Sequence, residues 1–152
     1  MSSNKIIEFD FSESGGVDIG DTACGKNWPV VYLIHNSDEL YIGETNNAAK
    51  RIKEHLRNPK RNKLTTVSII FDSEFNKSAV LDIEQTLIQL YSADDHYELQ
   101  NMNDGQSSNN DYYQREAYLR KIGSIWDNLI KLRLARQKMD VLINRDLFKY
   151  SP

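Results

Sequence analysis

Residues 30–56 read VVYLIHNSDELYIGETNNAAKRIKEHL, and the architecture follows from this segment. Val30 to Ile34 is continuously apolar and largely β-branched, the HNSDE that follows supplies turn residues, and Leu40 to Gly43 resumes strand character, which together predict a β-hairpin. Asn46 or Asn47 then caps a helix running to about Leu56, because Ala48, Ile52 and Leu56 recur at i, i+4 and i+8 and give it one face to bury. Arg51 and His55 are also four apart, so they lie together on a neighbouring face of the same helix. With a suitable strand register, the hairpin brings the Tyr32 and Tyr41 phenols onto a common face near the start of that helix.

Working outward, Asn58-Pro59 ends the helix and KLTTVSIIF, Lys63 to Phe71, predicts a third strand beside the first two. Ser78 is a cap for a second helix from about Ala79 to Tyr91, in which Val80, Ile83, Leu87, Leu90 and Tyr91 form the core stripe and Glu84 sits at its margin. Residues 1–28 form an arm: a short edge strand from IIEFDF, then an acidic loop broken at Gly15-Gly16. The run from Asn101 to Asn110 is polar and rich in turn formers, and predicts a loop. Beyond it Tyr118, Ile122, Ile125, Trp126, Leu129 and Ile130 recur at helical spacing, as one long helix or two joined near Arg133. The expected fold is α/β (α+β), a small three-stranded, mostly antiparallel sheet flanked by helices, with a core over 29–110 and additional C-terminal helices over 111–152.

Composition bounds the function. A chain of 152 residues, 39% hydrophobic and 27% charged, buries one sizeable core. Nineteen Lys and Arg against twenty-two Asp and Glu leave a net charge of -3, which excludes a polycation that holds nucleic acid by bulk charge. A single cysteine, Cys24, excludes a disulfide framework and a cysteine zinc cluster, and the scattered His35, His55 and His96 do not replace one. No apolar run approaches the roughly 18 residues of a membrane span, and the acidic N-terminus does not read as a signal peptide, so the expected location is the cytoplasm.

Positive charge is nevertheless concentrated. Lys50, Arg51, Lys53, Arg57, Lys60, Arg61 and Lys63 stand against Glu54 alone. Such a run either forms a plain solvated face or binds a nucleic-acid backbone, releasing counterions without reading sequence. Glu84, beside a core stripe, must be exposed, paired or metal-bound. Asn101, between an apolar position and a turn, serves either the local backbone or a site.

Taken together, these positions resemble the GIY-YIG nuclease superfamily. The resemblance rests on Tyr32, then Tyr41-Ile42-Gly43, then Arg51 eight residues after Gly43, and it continues through Arg51-Ile-Lys-Glu-His55, Leu81-Asp-Ile-Glu84 and Leu99-Gln-Asn101. Val30 and Val31 stand where the family's first triplet has glycine and isoleucine, and Glu44 stands where some members carry a lysine. The resemblance implies a metal-dependent endonuclease cutting DNA phosphodiesters, with Tyr32, Tyr41, Arg51, His55, Glu84 and Asn101 as catalytic residues. It also implies a single Mg²⁺ or Mn²⁺ held by Glu84 and products ending in 5′-phosphate and 3′-hydroxyl. The exposed cations Lys50, Lys53, Arg57, Lys60, Arg61 and Lys63 would then contact the nucleic acid. Two further stretches, YELQNMNDGQSSNNDYYQRE from Tyr97 onward and the terminal INRDLFKYSP, are similar to the junction between such a domain and a C-terminal superfamily 1 helicase/ATPase module, which implies a helicase partner in a longer protein serving defence or repair.

In the chemistry this implies, the planar fork of Arg51 braces the phosphate, which a lysine does not reproduce. A phenol is a poor base near pH 7 unless cations lower its pKa, and the expectation is that Arg51 and His55 do so. Tyr41 is then the residue that orients or deprotonates water with Tyr32 in support, although the assignment of the two is open, and His55 shares in relaying the proton. Asn101 would place Glu84 or a phosphate oxygen. The alternatives are a non-catalytic nucleic-acid-binding module that positions the helicase, and a protein-docking platform presenting Trp126, Leu129 and Ile130.

Overall fold

The computed structural model describes residues 4–101 and 112–143. The hairpin is present as β2 (Val30–His35) and β3 (Glu39–Thr45), followed by α2 (Ala48–Leu56), with Asn47 as its cap, accepting from Lys50 N. A 3-10 turn (Pro59–Arg61) leads into β4 (Thr66–Phe71), and α3 (Lys77–Asp94) follows. Its cap is Asn76, two residues before the expected Ser78, because the Asn76 carboxamide accepts from Ala79 N.

The sheet has five strands rather than three, in the order β1-β4-β2-β3-β5. The additions are β1 (Lys5–Asp10), antiparallel to β4, and the two-residue β5 (Glu98–Leu99), parallel to β3 at Glu39 and Leu40. The acidic segment after β1 is not a loose loop: it is helix α1 (Glu13–Gly20), capped by Ser12, which accepts from Gly15 N. A Cβ on residue 15 would run into the Asp10 carbonyl, so Gly15 is what lets this helix press against the end of β1.

Alternation along β2 splits the core between the two faces of the sheet. Val31 and Leu33 join Val80, Ile83 and Leu87 of α3, together with Ile122, Ile125, Trp126 and Leu129 of α4 (Tyr112–Lys131). Val30, Tyr32 and Ile34 face the other way, onto Ile19 of α1 and Ala48, Ala49 and Ile52 of α2. Burying a residue such as Ile52 contributes roughly 2 kcal/mol, which fixes α2 over the Tyr32 face. Trp126 and Leu129 are fully buried and Ile130 packs on the same cluster, so they do not form a docking surface.

The C-terminal helical pattern resolves into α4 and α5 (Met139–Ile143), with Arg133 at a positive φ of 62° in the break between them. The buried Asp94 carboxylate at the end of α3 accepts from Arg136 N and, at 2.7 Å, from Gln137 N, which pins this connection. The expected polar loop lies outside the described residues beyond Asn101, as does the tail from Asn144. Among the described residues, no helix is long and apolar enough to cross a membrane.

Candidate active site

β2 and β3 form the floor of the site. Tyr32 pairs with Gly43 and Ile34 with Tyr41, so the two phenols stand diagonally on one face with ring centroids 6.4 Å apart. A Cβ on residue 43 would fall 2.9 Å from Tyr32 Cε1 and closer still to Cζ and the hydroxyl. Only glycine leaves the Tyr32 ring its place.

Helix α2 crosses this face and delivers Arg51 and His55. The Tyr32 hydroxyl lies 2.8 Å from His55 Nε2, and the Tyr41 ring is 4.9 Å from the imidazole. Tyr32 and His55 are buried, Tyr41 is half-buried, and Arg51 reaches solvent while pairing with Glu54 at 3.2 Å.

Burial pushes the Tyr32 phenol well above its ordinary value, and Tyr41 adds to the rise. The Arg51 guanidinium, charged and hydrogen-bonded to the phenol, opposes this without offsetting it, and Glu84 raises it further. Burial also lowers His55 to about 4, helped by Arg61 and Arg51. At neutral pH the phenol therefore keeps its proton and the imidazole is uncharged. The Tyr32 oxygen faces a guanidinium that can only donate, which directs the phenol proton to His55 Nε2 in the tautomer where that nitrogen accepts. This corrects the expectation that Arg51 and His55 would lower a phenol: for Tyr32, desolvation outweighs Arg51, and a neutral His55 contributes no positive charge.

Glu84 comes from α3, on the opposite face of the sheet from α2. It is half-buried, accepts from Gln85 Nε2 at 3.4 Å, and its charge is felt at Tyr32. The edge of β3 makes this approach possible, since β5 covers only Glu39 and Leu40. Asn101 closes the next step along that edge. Its Oδ1 accepts from Ile42 N and its Nδ2 donates to Ile42 O, both at 2.8 Å. With both polar atoms engaged by the backbone and the side chain buried, Asn101 anchors the Tyr41-Ile42-Gly43 segment instead of reaching Glu84 or a phosphate.

The basic run divides in two. Lys50, Lys53, Arg57, Lys60 and Lys63 are exposed. Arg61 is not: it is only 9% exposed and its guanidinium carbon lies 3.8 Å from the centroid of the Tyr41 ring. Arg61 is therefore removed from the set of backbone-binding cations. Lys77, which the charge pattern did not single out because it stands alone at the start of α3, lies across from α2 and pairs with Glu44 at 2.6 Å. It lines a hollow of about 240 Å³ with Lys50, Arg51, Glu54 and the Thr45-Asn46-Asn47 turn. The amino end of α2 opens there, and although Ala49 N and Lys50 N are already bonded to Gly25 O and Asn47 Oδ1, the helix dipole favours an anion.

Among the described residues, no three His, Cys, Asp or Glu side chains group as a metal cage. A hard divalent cation that keeps most of its water needs no cage, and one accessible carboxylate beside a phosphate is a sufficient donor set. Glu84, half-buried and with its charge felt at Tyr32, has the donor chemistry for this and would be the protein ligand, although it does not line the hollow shared by Lys50, Arg51 and Lys77.

The profile of the GIY-YIG catalytic domain matches residues 29–98. No curated protein and no solved structure shows significant similarity to the chain. The matched span runs from the first strand of the hairpin through α3, and so contains Tyr32, Tyr41, Gly43, Arg51, His55 and Glu84. The mixed α/β fold, the hairpin-and-helix cradle for two tyrosines and an arginine, and this match agree: residues 29–98 are similar to the catalytic domain of the GIY-YIG family, nucleases that generally depend on a divalent metal.

Proposed function

We propose that the chain is a metal-dependent endonuclease that hydrolyses DNA phosphodiester bonds, acting with a C-terminal helicase/ATPase module of a longer protein in defence or repair. The observation that carries the hydrolytic reading is the bonded unit of Arg51, Tyr32 and His55, with Tyr41 beside it, at the rim of a cationic hollow. The helicase part rests on the likeness of the polar linker and tail to such a junction.

In this reading Arg51 grips the scissile phosphate through its planar fork and supports the charge that builds on it. Lys50 and Lys77 hold neighbouring phosphates across the hollow. Tyr32 cannot meet water directly, because it is fully buried; it holds His55 in the tautomer whose Nε2 accepts. Tyr41, half-buried, is the phenol left to orient the attacking water, and the neutral His55 beside it, its one acceptor nitrogen engaged by Tyr32, holds the two phenols in place. A Mg²⁺ or Mn²⁺ on Glu84, when bound, would supply positive charge to the phosphate oxygens and the departing alkoxide.

Nicking of supercoiled plasmid in Mg²⁺ or Mn²⁺ tests the proposal. Wild type is expected to nick, and Glu84→Ala to lose activity by about 10²-fold or more. Equal cutting by the two proteins would remove the metal site. Absence of cutting with either metal, alongside salt-sensitive DNA binding that Arg51→Ala weakens, would instead identify a non-catalytic binding module.

A further inference from the structure

Arg61 is an arginine in a basic run that does not behave as a surface cation. We propose that Arg61 is a positioning residue of the active site: its buried guanidinium, stacked on the Tyr41 ring and tied through Gln100 to Glu39, holds the Tyr41 phenol beside Tyr32 and His55. The proposal rests on the nuclease reading for its catalytic meaning, but its geometry stands apart from it.

Four observations converge. The guanidinium carbon lies 3.8 Å from the Tyr41 centroid, within cation-π range and out of water. Its Nη1 donates to Gln100 Oε1 at 2.9 Å, and Gln100 Nε2 donates to Glu39 Oε1 at 2.7 Å. The chain of contacts therefore begins in the 3-10 turn and ends on β3, two residues before Tyr41. The turn itself is stiff: Asn58 accepts from Lys60 N, Pro59 opens it, and the Arg61 backbone bonds to Asn58 O and from Leu64 N. Finally, the buried Arg61 Nε has no hydrogen-bond partner among the described residues. Stacking on a ring uses the planar face of the guanidinium and does not require this edge donor.

The function of such a clamp follows from the geometry of β3. Tyr41 is half-buried on a strand whose far side lacks a full neighbour, so the strand alone does not fix its ring. His55 at 4.9 Å and Tyr32 at 6.4 Å border the ring, and Arg61 closes it in. The Arg61 charge also acts on His55, adding to the effect of burial in keeping the imidazole neutral. Lysine would supply charge without the flat face or the fork to Gln100.

The experiment compares wild type, Arg61→Lys, Gln100→Ala and, as a surface control away from the basic run, Lys131→Ala at the exposed end of α4. It reads kcat and KM on a duplex with Mn²⁺, the salt dependence of DNA binding, and the aromatic ¹³C resonances of Tyr41. Arg61→Lys is expected to lower kcat by about 10- to 100-fold, the loss that follows a displacement near 1 Å. DNA affinity and salt slope should stay within about twofold of wild type while the Tyr41 resonances move. Gln100→Ala should change kcat and the Tyr41 signals in the same direction, less strongly, and decides the matter if Arg61→Lys does not fold. A weakened affinity with the salt slope reduced by about one would show a phosphate contact and overturn the proposal. So would wild-type kcat with unmoved Tyr41 resonances in both variants. If wild type cuts nothing, the nuclease reading falls, and the Tyr41 resonances alone decide whether Arg61 positions the ring.

Discussion

Gly43→Ala is the smallest change that tests how the hairpin builds the site. The added methyl carbon would lie 2.9 Å from Tyr32 Cε1 and closer to Cζ and the hydroxyl. Carbon atoms pack at about 3.5–4.0 Å, so the ring or the strand must move by about 1 Å. Tyr32 has no free space to move into: it is fully buried among Ile19, Ile34 and Ile52. Overpacking of this kind costs about 1–3 kcal/mol, which in a chain of this length lowers Tm by roughly 2–10 °C. Moving the phenol by that distance breaks its 2.8 Å contact with His55, and nicking should fall on the order of 10²-fold. Urea denaturation followed by Trp fluorescence gives the stability, and plasmid nicking gives the activity. In a Tyr32→Leu background the same Gly43→Ala change should cost less than half as much, because the atoms it strikes are gone. Wild-type stability and nicking in Gly43→Ala, or equal cost in both backgrounds, would refute the reasoning.

Three other outcomes are expected. Burial lowers both His35 and His55 to about 4, so from pH 6.5 down to about 4 the unfolded chain binds more protons than the folded one; stability is present above pH 6.5 and falls by a few kcal/mol across that window, and His35→Gln should flatten the fall in urea titrations at pH 7.5 and 5. Asp94→Ala removes a buried carboxylate that accepts from Arg136 N and Gln137 N, and should cost about 3 kcal/mol by urea denaturation without altering DNA affinity. Asn101→Leu leaves Ile42 N–H and C=O unpaired in a buried place, and should cost about 2–4 kcal/mol and slow nicking, with DNA affinity close to wild type.

The parts of the fold that could be read from the sequence are those where one local signal dominates. Apolar runs bounded by turn residues marked β2 and β3, and an i, i+4 stripe with an asparagine cap marked α2. The spacing from Tyr32 to Arg51 placed two phenols and a guanidinium near one another, and the register of the hairpin and the pitch of α2 do so in the structure. What escaped depended on tertiary contact. The pair Gly15-Gly16 reads as a break because glycine is a poor helix former, yet α1 needs Gly15 to approach Asp10. Two residues of β5 are too short to show a period. Arg61 reads as one more cation of a basic run and Lys77 as an isolated one, and only packing separates one laid on a tyrosine from one facing an open hollow. The acidity of the Tyr32 phenol went the other way because burial cannot be counted from charges along the chain.

The carboxamide of Asn101 imitates a missing strand. By satisfying both main-chain groups of Ile42, it supplies what an incoming β-segment would otherwise offer there, so a second molecule finds no vacant ladder rung to zip onto at that step. The border of the sheet is thereby closed at Ile42, while Gly43, Glu44 and Thr45 beyond it have no described strand on that side.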